Sequence, residues 1–168
     1  MDENKRILDG LMKAMQAEVD GHNFYKMAAN SADDEKGKEV FMALAQDEVE
    51  HYMFLKAQYD SYLKNGKADM TAVLGNPSAD AEGSIFSDSF RSRIKEAHLE
   101  MTALSIGVQL EESAIKFYRA EAEAVSDPAV KEFYNELAAW EENHHRRLLK
   151  QQQELTEDYW HAGGFYPF

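Results

Sequence analysis

Two pairs of glutamate and histidine residues have the spacing of metal ligands. Glu48 and His51 lie three residues apart, and Glu141 and His144 repeat this spacing in the second half of the chain. Residues three apart share one face of an α-helix, with roughly 5–6 Å between their Cβ atoms, so one ion can contact both side chains. Ligands that combine several oxygens with one nitrogen favour iron or manganese.

The two pairs belong to an internal repeat. An offset of 93 residues, the difference between Glu111 and Glu18, relates the second half of the chain to the first. The same offset relates polar and apolar residues: Tyr118 to Tyr25, Glu141 to Glu48, His144 to His51, Leu137 to Leu44 and Leu148 to Leu55. We interpret the chain as a duplicated helical hairpin.

The hydrophobic pattern predicts four long helices. Apolar residues recur at steps of three and four in segments of about 4–31, 34–64, 92–125 and 128–155. Short connections make the helices of each hairpin antiparallel. The long segment 65–84 predicts a crossover between helices 2 and 3, and residues 87–93 add a helical turn. The expected fold is all-α, an antiparallel four-helix bundle with a long crossover.

Length and composition predict one domain that spans residues 1–168. We expect the bundle to occupy about residues 4–155 and the sequence 156–168 to form an aromatic tail. This tail packs as a lid over the end of the bundle or forms a dimer contact, and we expect a homodimer.

The charge of the chain disfavours nucleic acid as a partner. Asp and Glu number 31 against 18 Lys and Arg, for a formal net charge of −13, which a phosphate backbone repels. There is no cysteine, which excludes disulfides and iron–sulfur clusters. The sequence has neither a signal peptide nor an apolar segment long enough for a membrane span, so we expect a cytoplasmic protein.

One glutamate of each helix falls on the apolar stripe that faces the core. These residues are Glu18, Glu48, Glu111 and Glu141. Four buried carboxylates repel one another and lose hydration, at a cost of several kcal/mol each, unless positive charge lies among them. Protonation of the acids would relieve this cost, but two divalent cations match better, because they balance the four charges with both histidines neutral.

These motifs, with SAIKFY at residues 113–118 and NELAAWEENHH at 135–145, resemble the rubrerythrin family of the ferritin-like di-iron carboxylate superfamily. The resemblance implies a ferritin-like bundle with two iron ions, or manganese in their place. It implies that Glu48 and Glu141 bridge the metals. The terminal ligands would be Glu18, Glu111, His51 and His144, with Tyr25 and Tyr118 donating hydrogen bonds to ligand carboxylates.

The chain departs from the family pattern in two places. Ala114 stands where rubrerythrins usually carry a second acid on helix 3, and no cysteine is available for a rubredoxin-like domain. Electrons would therefore come from an external donor protein.

Two assignments stay open. Glu142 and His145 repeat the pair spacing one residue along, although the offset and the flanking leucines favour Glu141 and His144. His22 also lies on the inward stripe, either as an extra metal ligand or as a histidine hydrogen-bonded at the edge of the core.

The resemblance implies a non-haem di-iron oxidoreductase that reduces hydrogen peroxide or dioxygen in defence against oxidative stress. Apart from the metal ligands, no catalytic residue is expected. One alternative is a ferroxidase or iron-handling protein. Another is an interaction module that the metals only stabilise.

Overall fold

The computed structural model describes residues 3–75 and 83–163, which form helices and connecting turns without a strand. The helices are α1 (Glu3–Ser31), α2 (Glu35–Asn65), the short α3 (Asp88–Ser92), a 3-10 turn (Ile94–Glu96), α4 (His98–Ala124) and α5 (Pro128–Gly163). The four long helices pair as expected, α1 on α2 and α4 on α5, with further contact between α1 and α4. The predicted all-α helical bundle is confirmed.

Capping residues set several helix ends. The Asp34 carboxylate accepts a hydrogen bond of 3.0 Å from the Gly37 amide at the start of α2. Asp127 accepts one of 2.9 Å from the amide of Ala129, beside Pro128 at the first position of α5. Gly66 ends α2 with a φ of 65°, which glycine adopts without strain.

Two helix limits differ from the sequence prediction. The third long helix begins at His98 and not near residue 92, because Phe90 and Ile94 turn into the core on α3 and the 3-10 turn. The last helix continues beyond residue 155 to Gly163, since residues 156–162 contain neither glycine nor proline. The first part of the predicted tail is therefore helical. Residues 164–168, on which the lid and dimer-contact interpretations largely rest, lie outside the described residues.

The acid-bearing layer lies between two apolar clusters. One cluster includes Phe41, Leu44, Leu104 and Leu148, and the other includes Ile7, Leu11, Phe54, Leu55 and Leu137. Along each long helix the glutamate falls between residues of one cluster and residues of the other. Packing of the two clusters therefore fixes the long helices relative to one another and keeps their four glutamates in one layer.

The same clusters explain the crossover. Both α2 and α4 run from the Phe41 cluster towards the Ile7 cluster, so the chain must return along the bundle between them. On this return path Ile85, Phe86 and Phe90 are buried and belong to the Phe41 cluster. The Gln151 side chain accepts a hydrogen bond of 2.6 Å from the Ile85 amide and fixes the crossover to α5.

Substituting Gly37 with alanine is expected to destabilise the fold. A Cβ atom there would lie 2.5 Å from the ring of Phe86, so the crossover or α2 would have to move. Overpacking of this kind costs about 1–3 kcal/mol. The free energy of unfolding in urea measures the effect. Gly83→Ala is the matched control, since nothing lies within 4 Å of its added Cβ, and equal stability of the two variants would contradict the packing argument.

Candidate metal centre

Each long helix contributes one buried glutamate to the centre of the bundle. The exposed fractions are 3% for Glu18, 4% for Glu48, 2% for Glu111 and 1% for Glu141. These residues continue the apolar stripes of their helices, so their carboxylates lie inside the bundle and are largely shielded from bulk water. The hydrophobic core therefore holds four acids together despite their repulsion.

The side chains form two overlapping groups. Ligand atoms of Glu18, Glu48, His51 and Glu141 lie within 4.8 Å of one another, and the same holds for Glu48, Glu111, Glu141 and His144. Glu48 and Glu141 belong to both groups. The arrangement suits two neighbouring ions that share two carboxylates, and all six expected ligands take part in it.

Both histidines point the same nitrogen at the carboxylates. His51 Nδ1 lies 3.1 Å from Glu141, 3.2 Å from Glu48 and 3.3 Å from Glu18. His144 Nδ1 lies 3.3 Å from Glu141 and 3.6 Å from Glu111. Across the centre the two rings stack with 5.8 Å between their centroids. Each group therefore has one imidazole nitrogen directed inward.

Unpaired polar atoms show that the cluster suits cations. Both carboxylate oxygens of Glu141 and the Nδ1 of His144 are buried without a hydrogen-bond partner among the described residues. The imidazole nitrogens lie within ion-pair distance of Glu141, but the angles are not those of hydrogen bonds. Buried groups of this kind are rarely left unpaired, and a shared pair of dications would satisfy them.

The electrostatics agree with a strongly anionic centre. Burial raises the pKa of Glu48 well above its usual value, and the nearby carboxylate of Glu141 raises it further. Burial, again with Glu141, raises the pKa of Glu111 to about 8. Burial also acts to raise the pKa of Glu141, but the two histidines outweigh it and the net shift is downward. Without metal, protons would thus take over part of the charge balance.

Two tyrosines tie the hairpins together behind the carboxylates. The Tyr25 hydroxyl donates to Glu111, and the Tyr118 hydroxyl donates to Glu18. Each tyrosine thus holds the glutamate of the opposite hairpin, as the repeat requires. Both rings are fully buried in the apolar clusters.

Tyr118→Phe is expected to weaken metal binding about 10- to 100-fold, because Glu18 loses the donor that orients it. The helix content should be unchanged, since the phenyl ring keeps its packing. Metal-binding isotherms and circular dichroism test the two statements. Tyr134→Phe is the control, because Tyr134 is equally buried but its hydroxyl has no hydrogen-bond partner among the described residues. Equal affinity in both variants would contradict this role of Tyr118.

The residues left open by the sequence lie outside the two groups. Glu142 pairs with Arg119 near the surface, and neither it nor His145 belongs to a group. The Nδ1 of His22 lies 2.8 Å from the carbonyl oxygen of Ala45 on α2. That contact favours the hydrogen-bonded interpretation of His22 over metal ligation.

Sequence reasoning missed Asp47 and Trp140. Asp47 is 2% exposed, and its Oδ2 lies 3.1 Å from Nε2 of His144. The ring of Trp140 meets that of His51 edge-on, with centroids 5.1 Å apart. The offset of 93 residues relates Asp47 to Trp140, so the unlike pair was visible in the repeat. The repeat did not reveal what the two residues do, because each contacts a histidine of the opposite hairpin.

Fold and site together define a helical bundle with a buried cluster of carboxylates and histidines. The family model for rubrerythrin matches residues 9–102 and 102–164. The chain therefore belongs to the rubrerythrin family and has its ferritin-like fold, and the family implies iron binding.

Comparisons with curated proteins and with solved structures found no significant match. Among residues 3–75 and 83–163, none of the helices combines the length and the apolar character that crossing a bilayer requires.

Proposed function

We propose that the protein is a two-iron oxidoreductase that reduces hydrogen peroxide, or dioxygen, with electrons from an external donor protein. The observation that carries the proposal is the pair of overlapping carboxylate and histidine groups inside a rubrerythrin-family bundle. For peroxide, two electrons and two protons convert one molecule into two molecules of water.

The residues of this chain would hold the irons in a defined way. Glu48 and Glu141 belong to both groups and would bridge the two ions. Glu18 with His51, and Glu111 with His144, would complete the two positions. When bound, the iron pair supplies the two electrons, as expected of a metal centre whose redox chemistry belongs to the cofactor. Tyr25 and Tyr118 keep the terminal carboxylates oriented throughout.

A cavity of about 310 Å³ gives a small oxidant access to the carboxylates. It opens between α1 and α4, where Ala17, Gly21 and Ala114 leave space beside the acids. Peroxide and dioxygen are much smaller than this cavity. Where rubrerythrins usually carry a second acid, this chain has Ala114, and its small side chain leaves open volume at this point of the cavity.

Burial controls the protons near this cavity. Burial and the charge of Glu111 raise the pKa of the Tyr25 hydroxyl well above its usual value, so the group stays protonated and continues to donate. Both tyrosines line the cavity, together with Glu18 and Glu111. The Tyr25 hydroxyl therefore holds a proton at the wall of the cavity that the oxidant enters.

Metal analysis followed by stopped-flow absorbance tests the proposal. Reduced, iron-loaded protein is mixed with peroxide and, separately, with dioxygen. We expect rapid oxidation with peroxide faster than with dioxygen. Oxidation of Fe(II) supplied in excess, with release of Fe(III), would favour the ferroxidase alternative. Absence of reaction with either oxidant in iron-loaded protein would overturn the proposal and favour a metal-stabilised module.

The same proposal includes an external donor protein, a homodimer and a cytoplasmic location.

The acidic surface supports a donor with a basic contact face, since the formal net charge is −13. Reduction of oxidised protein should then slow as the salt concentration rises.

A further inference from the structure

The internal repeat is broken behind the two histidines. Asp47 of α2 contacts His144 of α5, whereas Trp140 of α5 contacts His51 of α2. The offset of 93 residues relates these two contacts to each other. One histidine thus has a carboxylate behind it, and the other has an indole ring.

Asp47 fixes the state of His144. Nε2 of His144 lies 3.1 Å from Oδ2 of Asp47, so it carries the proton and donates it. Nδ1, which faces Glu141 and Glu111, is then the nitrogen that can bind a metal once its own proton leaves. A carboxylate in this position sets the tautomer and the ring orientation of a ligating histidine and increases its basicity.

His51 has no such support. Its Nε2 is buried without a hydrogen-bond partner among the described residues, and its ring meets Trp140 at an interplanar angle of 85°. An indole has one N–H donor and no acceptor nitrogen, so Trp140 cannot fix the tautomer as Asp47 does.

We infer that Asp47 is a positioning residue that makes the two metal positions unequal. The position beside His144 takes the first ion, and the position beside His51 takes the second ion with lower affinity. The inference rests on the two-metal site of the proposed function. The remaining ligands are matched, because each position has one glutamate held by a tyrosine and shares Glu48 and Glu141. The difference between the two positions is therefore assigned to Asp47.

Anaerobic calorimetric titration of the metal-free full chain with Fe(II) tests this order of filling. We expect two steps of one ion per chain each, with dissociation constants that differ about tenfold or more. His144→Ala should remove the tight step, and His51→Ala should remove the weak one. Two equal steps would overturn the inference and leave the two-metal site standing. Absence of binding would overturn both.

Repulsion between the two ions would also separate the steps, so a variant of Asp47 is decisive. Asp47→Asn keeps the size of the side chain and removes its charge, and the tight step should weaken about tenfold or more. Asp47→Glu should recover part of the loss. An unchanged tight step in Asp47→Asn, with helix content preserved, would overturn the inference.

The opposite position supplies matched controls. Trp140→Phe introduces no acceptor, so both steps should be retained. Trp140→Asp places a carboxylate behind His51, and the weak step should tighten towards the strong one. A folded Trp140→Asp protein with an unchanged weak step would contradict the inference. If this variant does not fold, Asp47→Asn alone decides. Peroxide turnover is not measured, so failure of the proposed reaction would leave these results unaffected.

Discussion

Glu141→Ala is expected to abolish binding of both metal ions of the proposed two-iron centre. Glu141 belongs to both ligand groups, and each of its oxygens is buried without a hydrogen-bond partner among the described residues. Its removal takes one ligand from each position and one of the four negative charges. Metal analysis of protein purified from iron-supplemented cultures should show less than a tenth of the wild-type content, a loss of about 1.4 kcal/mol or more in binding free energy.

Glu142→Ala is the matched control for this change. It alters the same helix one residue along, where the carboxylate pairs with Arg119 near the surface. An exposed ion pair of this kind contributes about 0–1 kcal/mol to stability, so metal content and activity should both be retained. Glu48→Ala, at the equivalent position of the first hairpin, should resemble Glu141→Ala. Loss of metal in Glu142→Ala, with Glu141→Ala unaffected, would mean that the register of α5 is wrong by one residue.

Periodicity predicted the helices and their pairing because it reports directly on burial. The stripes that pass through Glu18 and Glu111 alternate in steps of three and four, and only a helix facing the core explains that spacing. The repeat then placed the acids of the second hairpin at the height of the first. The six expected ligand residues accordingly lie together in the structure.

Helix limits were less predictable, because tertiary packing decides them. Residues 92–97 have a helical pattern, yet burial of Phe90 and Ile94 against the Phe41 cluster interrupts the helix there. At the other end, nothing in the local sequence stops α5 before Gly163. Propensity gives only a weak preference at such positions, and packing outweighs it.

The contacts of Asp47 and Trp140 with the histidines of the opposite hairpin were the least predictable part of the site. Asp47 lies next to Glu48 in the sequence, and its neighbours do not show that it contacts His144 on α5. The contact depends on how α2 and α5 face each other, which no pattern within one helix encodes. His22 is a similar case, since the carbonyl of Ala45 that it contacts belongs to the neighbouring helix.

Metal-free protein is expected to lose stability as the pH rises from about 5 to about 8. Burial raises the pKa of Glu18, Glu48 and Glu111, each from a usual value of 4.5. A group whose pKa is higher in the folded state contributes stability that is present below its unfolded pKa and is lost as the pH rises through its folded pKa. Glu111 alone, with a pKa of about 8, accounts for a loss on the order of 3 kcal/mol.

The histidines act in the same direction. Burial lowers the pKa of His51, but Glu141 and the other carboxylates outweigh it and raise the net value well above normal. Its stabilising charge is therefore also lost as the pH rises. Glu141 has a lowered pKa and contributes stability that disappears only below its usual value of 4.5, outside this pH range. The expected slope is consequently negative throughout the range.

Bound iron should reverse this slope, because the ions replace the protons that the cluster releases. Binding adds about 2.7 kcal/mol at a free metal concentration of 100 times the dissociation constant, and affinity increases with pH as competing protons leave. Urea unfolding at pH 5 and pH 8, with chelator or with Fe(II) under anaerobic conditions, measures both slopes. Glu111→Gln imitates the protonated carboxyl, so the metal-free variant should be more stable than wild type at pH 8 and should gain less from iron. If the stability of the metal-free wild-type protein rises over this pH range, the buried acids do not determine its pH dependence.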